Sequence, residues 1–394
     1  MGVMTHDAAF TTYAPGEVGR EKRERIASLD ITRGIVMVLM AIDHVRVYAG
    51  VPAGGPTPGV FFTRWVTHFS APGFAFLAGT GAFLLGQKLA DKRALARYLV
   101  ERGAILILLE LTFLRLAWTF NVDFAHYNLA GVIWMLGWCM ILMAGIIWLP
   151  LTAIAVLGLA LIVGQAVFTP IGNMLPAAIG NFLYLGGEVH LGLPFAVLYV
   201  IVPWIGVMAT GYAFGTIMTF EAERRRKLCL RLGISTTALF VVVAGVVVAT
   251  QPARPDAPPA ILRMLNQRKY PASPLFLMMT LGPILTFLPF AERMRGRIAS
   301  ILATFGRVPM FYYLLHIPLI HASALVVSLT RTGRIDPWLF GNHPMAPPPV
   351  PDGYRWSLGL LYLVFAIVIA SLYWPCRWYA NLKARGGSRL LRYI

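Results

Sequence analysis

Residues 25–46 read Arg25-Ile-Ala-Ser-Leu-Asp30-Ile-Thr-Arg33-Gly34-Ile-Val-Met-Val-Leu-Met-Ala-Ile-Asp43-His44-Val-Arg46. The middle of this stretch is apolar enough to cross a bilayer as a helix, and charged residues stand at both of its ends. Ionisable side chains are costly inside or at the rim of a membrane span, so their presence points to a function. The stretch therefore predicts a membrane-spanning helix that carries part of a site.

One face of this predicted helix carries a stripe of polar and methionine side chains. Arg33 and His44 are eleven residues apart, which on an ideal helix returns to nearly the same face about 16 Å further along the axis. The stripe consists of Asp30, Arg33, Met37, Met40, His44 and Tyr48. This layout suits a molecule that is reached from one side of the membrane and used at the other.

The composition of the whole chain agrees with a membrane protein. Of its 394 residues 58% are hydrophobic and 13% are charged, and the mean hydropathy is +0.68, whereas about a quarter of the residues in soluble domains are charged. The net charge is +17, but the basic residues form short clusters between apolar runs. We interpret these clusters as topology signals and expect no nucleic-acid partner.

The apolar runs predict an all-α bundle of about ten membrane spans, since a span needs about 20 apolar residues. We expect a flexible cytoplasmic tail over residues 1–24 and a single transmembrane domain over 25–394, with the first span as an uncleaved signal anchor. The predicted spans cover residues 28–50, 65–87, 99–119, 130–149, 151–169, 192–219, 232–250, 274–291, 307–329 and 356–376.

Lysine and arginine predict the orientation, because cytoplasmic loops carry an excess of both. One set of span ends is rich in them, as in Arg224-Arg225-Arg226-Lys227, and both termini fall on that side. The opposite loops hold fewer, although Arg254, Arg263, Arg268 and Lys269 weaken the contrast. Two proline-rich stretches on that side, at 251–273 and 341–353, are predicted to be extended connectors or rims.

Several ionisable residues gather at the predicted outer face, where general-base chemistry needs a proton acceptor. Each also has a structural interpretation: His44 could bind an interfacial carbonyl, Arg64 could anchor at headgroups, and Glu110 could form an ion pair with another helix. His316 differs in lying mid-membrane, one helical turn after Tyr312 and just before His321. The candidates for these roles are Asp43, His44, Arg46, Arg64, His68, Glu110, Asp123, His126, Glu188, His190 and His316.

Other chemistries have no signature in the chain. The three cysteines, Cys139, Cys229 and Cys376, are scattered, and no element shows a compact spacing of His, Asp, Glu or Cys that a metal would need. Neither a P-loop, a dinucleotide fingerprint nor a Gly-x-Ser-x-Gly nucleophile elbow is present. We therefore expect no bound metal.

Together with five further segments, the opening motif resembles a known family. Ser28-Leu29-Asp30-Ile-Thr-Arg33-Gly34 is shared by several multi-span acyltransferase families, and the whole set is similar to the catalytic domain of heparan-α-glucosaminide N-acetyltransferases, particularly bacterial members. The resemblance extends over residues 23–376. The further segments are Phe62–Gly81, Arg115–Asn121, Trp134–Trp138, Tyr270–Phe276 and Phe305–His316.

This resemblance implies transfer of an acyl group, usually acetyl, from cytosolic acyl-CoA to an acceptor on the far side of the membrane. The donor would enter beside Asp30 and Arg33, and its pantetheine arm would run along Met37 and Met40. At the outer end His44 would act as the general base.

The remaining roles are hypotheses from the layout of the polar residues. His68 would be a second base or orient the acceptor, Asp43 and Asp123 would be orienting carboxylates, and His316 would support a polar network. That network would also include Arg46, Arg64, Glu110, Glu188 and His190. The expected acceptor is a sugar or glycolipid of a bacterial cell envelope, reached from the inner membrane, and a homodimer is among the assemblies considered.

The chain departs from the family pattern at one position. The best-known member carries its catalytic histidine in the loop between the first two spans, and residues 45–67 contain no histidine. This departure argues against an acetyl-histidine mechanism or moves its duty to His44 or His68, and we favour direct transfer in a ternary complex over a covalent relay. The alternative from another class is a multi-span transporter in which His, Asp and Glu form a proton or substrate path.

Overall fold

The computed structural model describes residues 26–385 except 56, 126, 252–256 and 345–347. Most of this part of the chain is helical, as predicted. The α-helices are α1 (Ala27–Tyr48), α2 (Pro58–Trp65), α3 (Ser70–Leu89), α4 (Lys92–Leu109), α5 (Arg115–Thr119), α6 (Val132–Ile146), α7 (Leu151–Val163), α8 (Gln165–Met174), α9 (Ala177–Gly180), α10 (Val202–Phe214), α11 (Ala222–Thr250), α12 (Ala260–Leu265), α13 (Pro274–Arg293), α14 (Gly296–Arg307), α15 (Pro309–Thr332) and α16 (Leu358–Ala384).

Shorter elements connect these helices. The strands are β1 (Asn128–Ala130), β2 (Gly187–Leu191) and β3 (Leu193–Val197). Two π-helical turns cover Glu110–Leu114 and Asn181–Leu185, and 3-10 turns cover Val66–Phe69, Ile217–Thr219 and Pro337–Phe340.

Five described helices are long and apolar enough to cross a membrane, and the bent pair of α7 and α8 would make a sixth. They are the continuous Pro58–Leu89 helix, α11, α13, α15 and α16; the bent pair turns by 72°. The prediction of a helical membrane protein is confirmed. Ten spans and cytoplasmic termini stay predictions, and the predicted tail at 1–24 lies outside the described residues.

Helix α1 lies in the middle of the bundle, where it packs against α3, α13, α14, α15 and α16. Its crossing with α14 is close because glycines face each other's backbone. A Cβ atom on Gly306 would stand 1.8 Å from the carbonyl oxygen of Asp30, and one on Gly34 would stand 1.9 Å from that of Leu302. Small residues permit such approaches between membrane helices. The predicted functional helix is therefore enclosed by other helices.

The prediction of one helix over 192–219 is wrong in its first part. Residues 193–197 form β3, which pairs parallel with β1 and antiparallel with β2. Gly192 has a φ of +76°, and Pro194 has no N–H to donate, so neither continues a helix. The helix starts at Val202 instead, with Pro203 in its first turn.

The predicted helix over 99–119 contains an irregularity that periodicity cannot reveal. It begins earlier, at Lys92, and widens into the π turn at Glu110–Leu114 before α5. On a regular helix Glu110 and Arg115 are five residues apart and diverge, yet both side chains are buried. The wider turn brings both side chains to the interior.

The proline-rich 341–353 stretch is more than a connector. We call residues 342–344 and 348–356 the strap, because this segment runs across the end of α1 near His44. Four strap groups donate hydrogen bonds to four successive carbonyls at that end: Asn342 Nδ2 to Val47 (3.0 Å), the Tyr354 hydroxyl to Tyr48 (2.9 Å), Trp356 N to Ala49 (3.0 Å) and Arg355 Nε to Gly50 (3.2 Å). The final carbonyls of a helix have no partner within it, and the strap supplies one.

Candidate active site

His44 on α1 and His316 on α15 form a hydrogen-bonded pair in the centre of the bundle. His44 Nδ1 lies 2.7 Å from His316 Nε2. His316 is fully buried, and its Nδ1 lies 2.7 Å from the carbonyl oxygen of Tyr313 and 3.2 Å from that of Tyr312. Trp118 meets the His44 ring edge-on at 4.9 Å. Neighbouring groups thus restrict both rings.

These contacts determine which nitrogen carries each proton. A carbonyl oxygen only accepts, so His316 Nδ1 must be the donor and its Nε2 the acceptor in the neutral ring. His44 Nδ1 must then donate to His316, which leaves the lone pair of His44 Nε2 available. A histidine with its Nδ1–H held by a neighbour and its Nε2 unprotonated has the arrangement of a general base.

A small cavity of about 30 Å³ lies beside this pair. It has room for about two water molecules. Its lining combines polar side chains from α1, the 3-10 turn before α3 and two loops with an apolar wall: Met40, Asp43, His44, Thr67, Ser70, Ala71, Phe74, Val132, Tyr199 and Lys269.

Asp43 is next to His44 in sequence, yet its carboxylate binds arginines. Arg46 Nε lies 2.8 Å from Oδ1, and Arg64 Nη1 lies 3.4 Å from Oδ2. Arg64 also lies 3.4 Å from His68 Nδ1, which must accept because a guanidinium only donates. Thus the orienting contact of His44 comes from His316, whereas Asp43 holds the two arginines.

Lys269 and Tyr199 line the cavity, and Tyr270 contacts both of them. Lys269 is 8% exposed, and its ammonium stands 5.2 Å from the ring centre of Tyr270 and 5.7 Å from that of Tyr199. Burial lowers the pKa of Lys269, and the Tyr270 hydroxyl acts in the opposite direction. Such faces of aromatic rings attract a cation.

The end of α1 far from His44, where we expect the acyl donor to enter, contains Asp30 and Arg33. Arg33 Nη1 lies 3.3 Å from Asp30 Oδ1 and 3.4 Å from the carbonyl oxygen of Gly306, and the Arg33 side chain is one-fifth exposed. Between the two ends Met37 and Met40 are both buried, and Met40 reaches the cavity. The predicted stripe therefore runs from a partly exposed arginine to the cavity beside His44.

Glu110 belongs to the π turn after α4, and its carboxylate lies at the N-terminal end of α6. Its Oε2 accepts hydrogen bonds from Ile133 N at 2.8 Å and Trp134 N at 3.0 Å. Gly131, the residue before α6, has no side chain to serve these N–H groups, and a Cβ there would lie 2.8 Å from Glu110 Oε1. Glu110 therefore acts as a helix cap contributed by another element.

The other predicted site residues lie outside the cavity lining. Asp123 is exposed, and its backbone carbonyl accepts a hydrogen bond from Arg115. Glu188 and His190 are exposed on β2. His126 falls outside the described residues. Within the described part of the chain no three His, Cys, Asp or Glu side chains gather in a group able to hold a metal ion.

The chain matches a known family of proteins. The family model described as "Heparan-alpha-glucosaminide N-acetyltransferase, catalytic" matches residues 25–246, more than half of the chain. The chain belongs to this family. We found no curated protein that matches it. The family is one of membrane acetyltransferases, and the matched region contains Asp43, His44 and Tyr199 but ends before Lys269 and His316.

Three residues of the cavity region were missed at the level of sequence: Lys269, Tyr270 and Tyr199. One signal was available, because Lys269 belongs to the basic residues that contradict the charge bias of the loops. A lysine that is buried in the protein does not help to set the orientation in the membrane. The presence of Lys269 on the side that should carry few basic residues was therefore a sign that it has another role.

Proposed function

We propose that this protein transfers an acyl group, in the simplest case acetyl, from cytosolic acyl-CoA to an amine or hydroxyl of a sugar or glycolipid on the opposite side of a bacterial inner membrane. Family membership supports a transferase. The observation that carries the proposal is the hydrogen bond from His44 Nδ1 to His316, which leaves His44 Nε2 as a base beside a polar cavity.

The reaction is a direct transfer. His44 Nε2 takes the proton of the acceptor N–H or O–H while the acceptor attacks the thioester carbonyl. The new C–N or C–O bond forms, the C–S bond breaks, and CoA leaves as its thiolate. The charge that develops on His44 is shared through Nδ1–H with His316, whose own Nδ1–H is anchored on the carbonyls of α15.

The size of the cavity adds a conformational requirement. At about 30 Å³ it is smaller than the several hundred Å³ of typical ligand pockets. Acyl-CoA and an acceptor can meet at His44 only if the helices around the Met37–Met40 part of α1 separate. Arg33, partly exposed at the other end, would hold the CoA phosphates during this opening.

The test is acetyl transfer by the purified protein in lipid nanodiscs, with radiolabelled acetyl-CoA and glucosamine as the first acceptor. We expect His44→Ala to lower kcat/KM by about 10²- to 10⁴-fold, the usual contribution of a general base. Arg33→Ala should raise the KM for acetyl-CoA more than it lowers kcat. Val38→Ala, on the same helix but outside the cavity lining, is the matched control and should change neither.

Full transfer by a folded His44→Ala variant would remove the proposed base. A folded wild-type protein that binds no acetyl-CoA, but takes up a small solute in vesicles, would support the transporter instead. Binding of acetyl-CoA is measured by its effect on thermal unfolding, because a ligand stabilises the state that it binds.

A further inference from the structure

The polar cluster around the cavity carries more positive than negative charge. Three basic side chains, those of Arg46, Arg64 and Lys269, converge there with one carboxylate, that of Asp43. Both arginines contact the carboxylate directly, at 2.8 Å and 3.4 Å. The charge of Asp43 is therefore already shared between two cations.

Lys269 is the third cation and has no such partner. No carboxylate lies within 4.0 Å of its ammonium in the part of the chain that the structure describes. Its neighbours are the rings of Tyr199 and Tyr270 and the hydroxyl of Tyr270, and its side chain lines the cavity. Tyrosine faces attract a cation but do not neutralise it.

Burying an ammonium group without a counter-charge costs free energy, and proteins retain such groups mainly where they bind something. Here the group faces a cavity that also contains His44, the proposed base. An anion that entered the cavity would meet Lys269 on one side, with the guanidinium of Arg64 nearby.

Resting on the proposed function, we propose that the acceptor itself carries an anionic group, a carboxylate or a phosphate, and that Lys269 binds this group beside His44. Arg64, held by Asp43, adds to the positive potential. The acceptor nucleophile would then lie at His44 Nε2 with its charged group fixed at Lys269. Lys269 is thus a specificity-determining residue for the acceptor.

The donor does not explain this charge. The phosphates of CoA are expected at Arg33, about 16 Å away along α1, and the thioester that reaches His44 is uncharged. A cation at the His44 end would stabilise the charge that develops during transfer to any acceptor alike, whereas a gain in ground-state binding requires a charge on the acceptor itself. Arg33, expected to bind the donor, and Lys269, proposed to bind the acceptor, thus lie near opposite ends of the stripe on α1.

The experiment compares two pairs of acceptors that differ in one charge, in wild type and Lys269→Met. The soluble pair is glucosamine and glucosamine 6-phosphate, and the lipid-like pair is dodecyl glucoside and dodecyl glucuronide. Binding is measured by calorimetry and transfer by the acetyl assay, both in nanodiscs. The control is Lys227→Met, which removes an exposed lysine that pairs with Glu223 on α11.

We expect Lys269→Met to weaken binding of the anionic member, and to raise its KM, by about 10- to 100-fold, the value of a charge-assisted hydrogen bond. The neutral member should change by less than about threefold, and Lys269→Arg should retain the preference. The pair that shows this pattern tells whether the charged acceptor is soluble or anchored in lipid.

Two outcomes would overturn the inference. One is equal loss on neutral and anionic acceptors in a folded Lys269→Met protein, which would make Lys269 a structural member of the cluster. The other is a wild-type protein that binds the neutral and the anionic acceptor with equal affinity. Binding of the anionic acceptor that depends on Lys269 but leads to no transfer would contradict the proposed function alone.

Discussion

At the scale of single residues, the proposed chemistry depends on which nitrogen of each histidine holds a proton. The carbonyls of Tyr312 and Tyr313 set the tautomer of His316, and His316 in turn sets that of His44. The proposed base is thus oriented by a histidine and, among the residues that the structure describes, forms no hydrogen bond with a carboxylate. His316 touches no proposed substrate, so it is a positioning residue.

This role predicts a difference between two variants of His316. The amide oxygen of His316→Gln can still accept from His44 Nδ1, whereas His316→Leu leaves that N–H without a partner. We expect His316→Leu to lower kcat about 10- to 100-fold with the KM values of both substrates nearly unchanged, the usual loss when an orienting partner is removed. His316→Gln should restore most of kcat in the same transfer assay.

The control for this prediction is the thermal unfolding temperature of each variant. If both variants lost kcat equally while remaining folded, His316 would fill space and would not orient His44. A loss confined to KM would also contradict the role.

Sequence reasoning predicted the individual residues better than their partners. His44 and His316 were both candidates, but they stand 272 residues apart, and no local pattern pairs residues at that separation. Asp43 was expected to be an orienting carboxylate, although adjacent residues do not face each other on a helix; in the structure its carboxylate binds two arginines. Asp123, expected in the same role, is exposed.

At the scale of elements, helix ends are completed by distant parts of the chain. The strap serves the last carbonyls of α1, and Glu110 serves the first N–H groups of α6. An element without its own capping side chain needs such a partner when its end is buried. The ends of α1 and α6 are therefore linked to the tertiary fold.

The cap on α6 predicts the behaviour of two Glu110 variants. Glu110→Ala leaves the buried N–H groups of Ile133 and Trp134 without an acceptor, which should cost about 1 to 3 kcal/mol for each group. Glu110→Gln keeps one amide oxygen and should lose less. The measurement is the unfolding temperature in detergent, where we expect wild type to exceed Glu110→Gln, and Glu110→Gln to exceed Glu110→Ala.

An unfolding temperature of Glu110→Ala equal to that of wild type would show that water or another group replaces the carboxylate. Thr112→Ala is the matched control, because Thr112 lies exposed on the same π turn and only returns a hydrogen bond to its own helix. It should leave the unfolding temperature nearly unchanged.

Element types were predictable where apolar runs are long, and were missed where they are interrupted. Hydropathy identifies α1, α13 and α15 within a few residues. It also treats Leu193–Val197 as helix, because an apolar run does not distinguish a short buried strand from a helix. The amphipathic α14 was missed because a search for continuous apolar spans ignores helices with one polar face.

At the scale of the whole molecule, composition established a helical membrane protein, while its orientation rests on the charge bias alone. The structure makes that bias testable, because Cys139, Cys229 and Cys376 are all buried. A cysteine introduced at an exposed position should therefore be the main target of a membrane-impermeant maleimide.

We predict that Asp352→Cys in the strap is labelled in intact cells, and that Arg224→Cys at the start of α11 is labelled only after the membrane is permeabilised. Both positions are exposed. The reverse pattern would invert the orientation and place His44 at the cytoplasmic side. The wild-type protein, with its buried thiols, measures the background.

The long separation of His44 and His316 along the chain has a consequence for biosynthesis. A ribosome that adds 5 to 20 residues per second needs roughly 14 to 54 s to make the 272 residues between His44 and His316. During that interval α1 has already been synthesised. Its Asp43–Arg46 ion pair can form at once from neighbours in the same helix, but His44 waits for its partner. The proposed base thus lacks its orienting partner until the last fifth of the chain is being made, so the proposed site is completed late in biosynthesis.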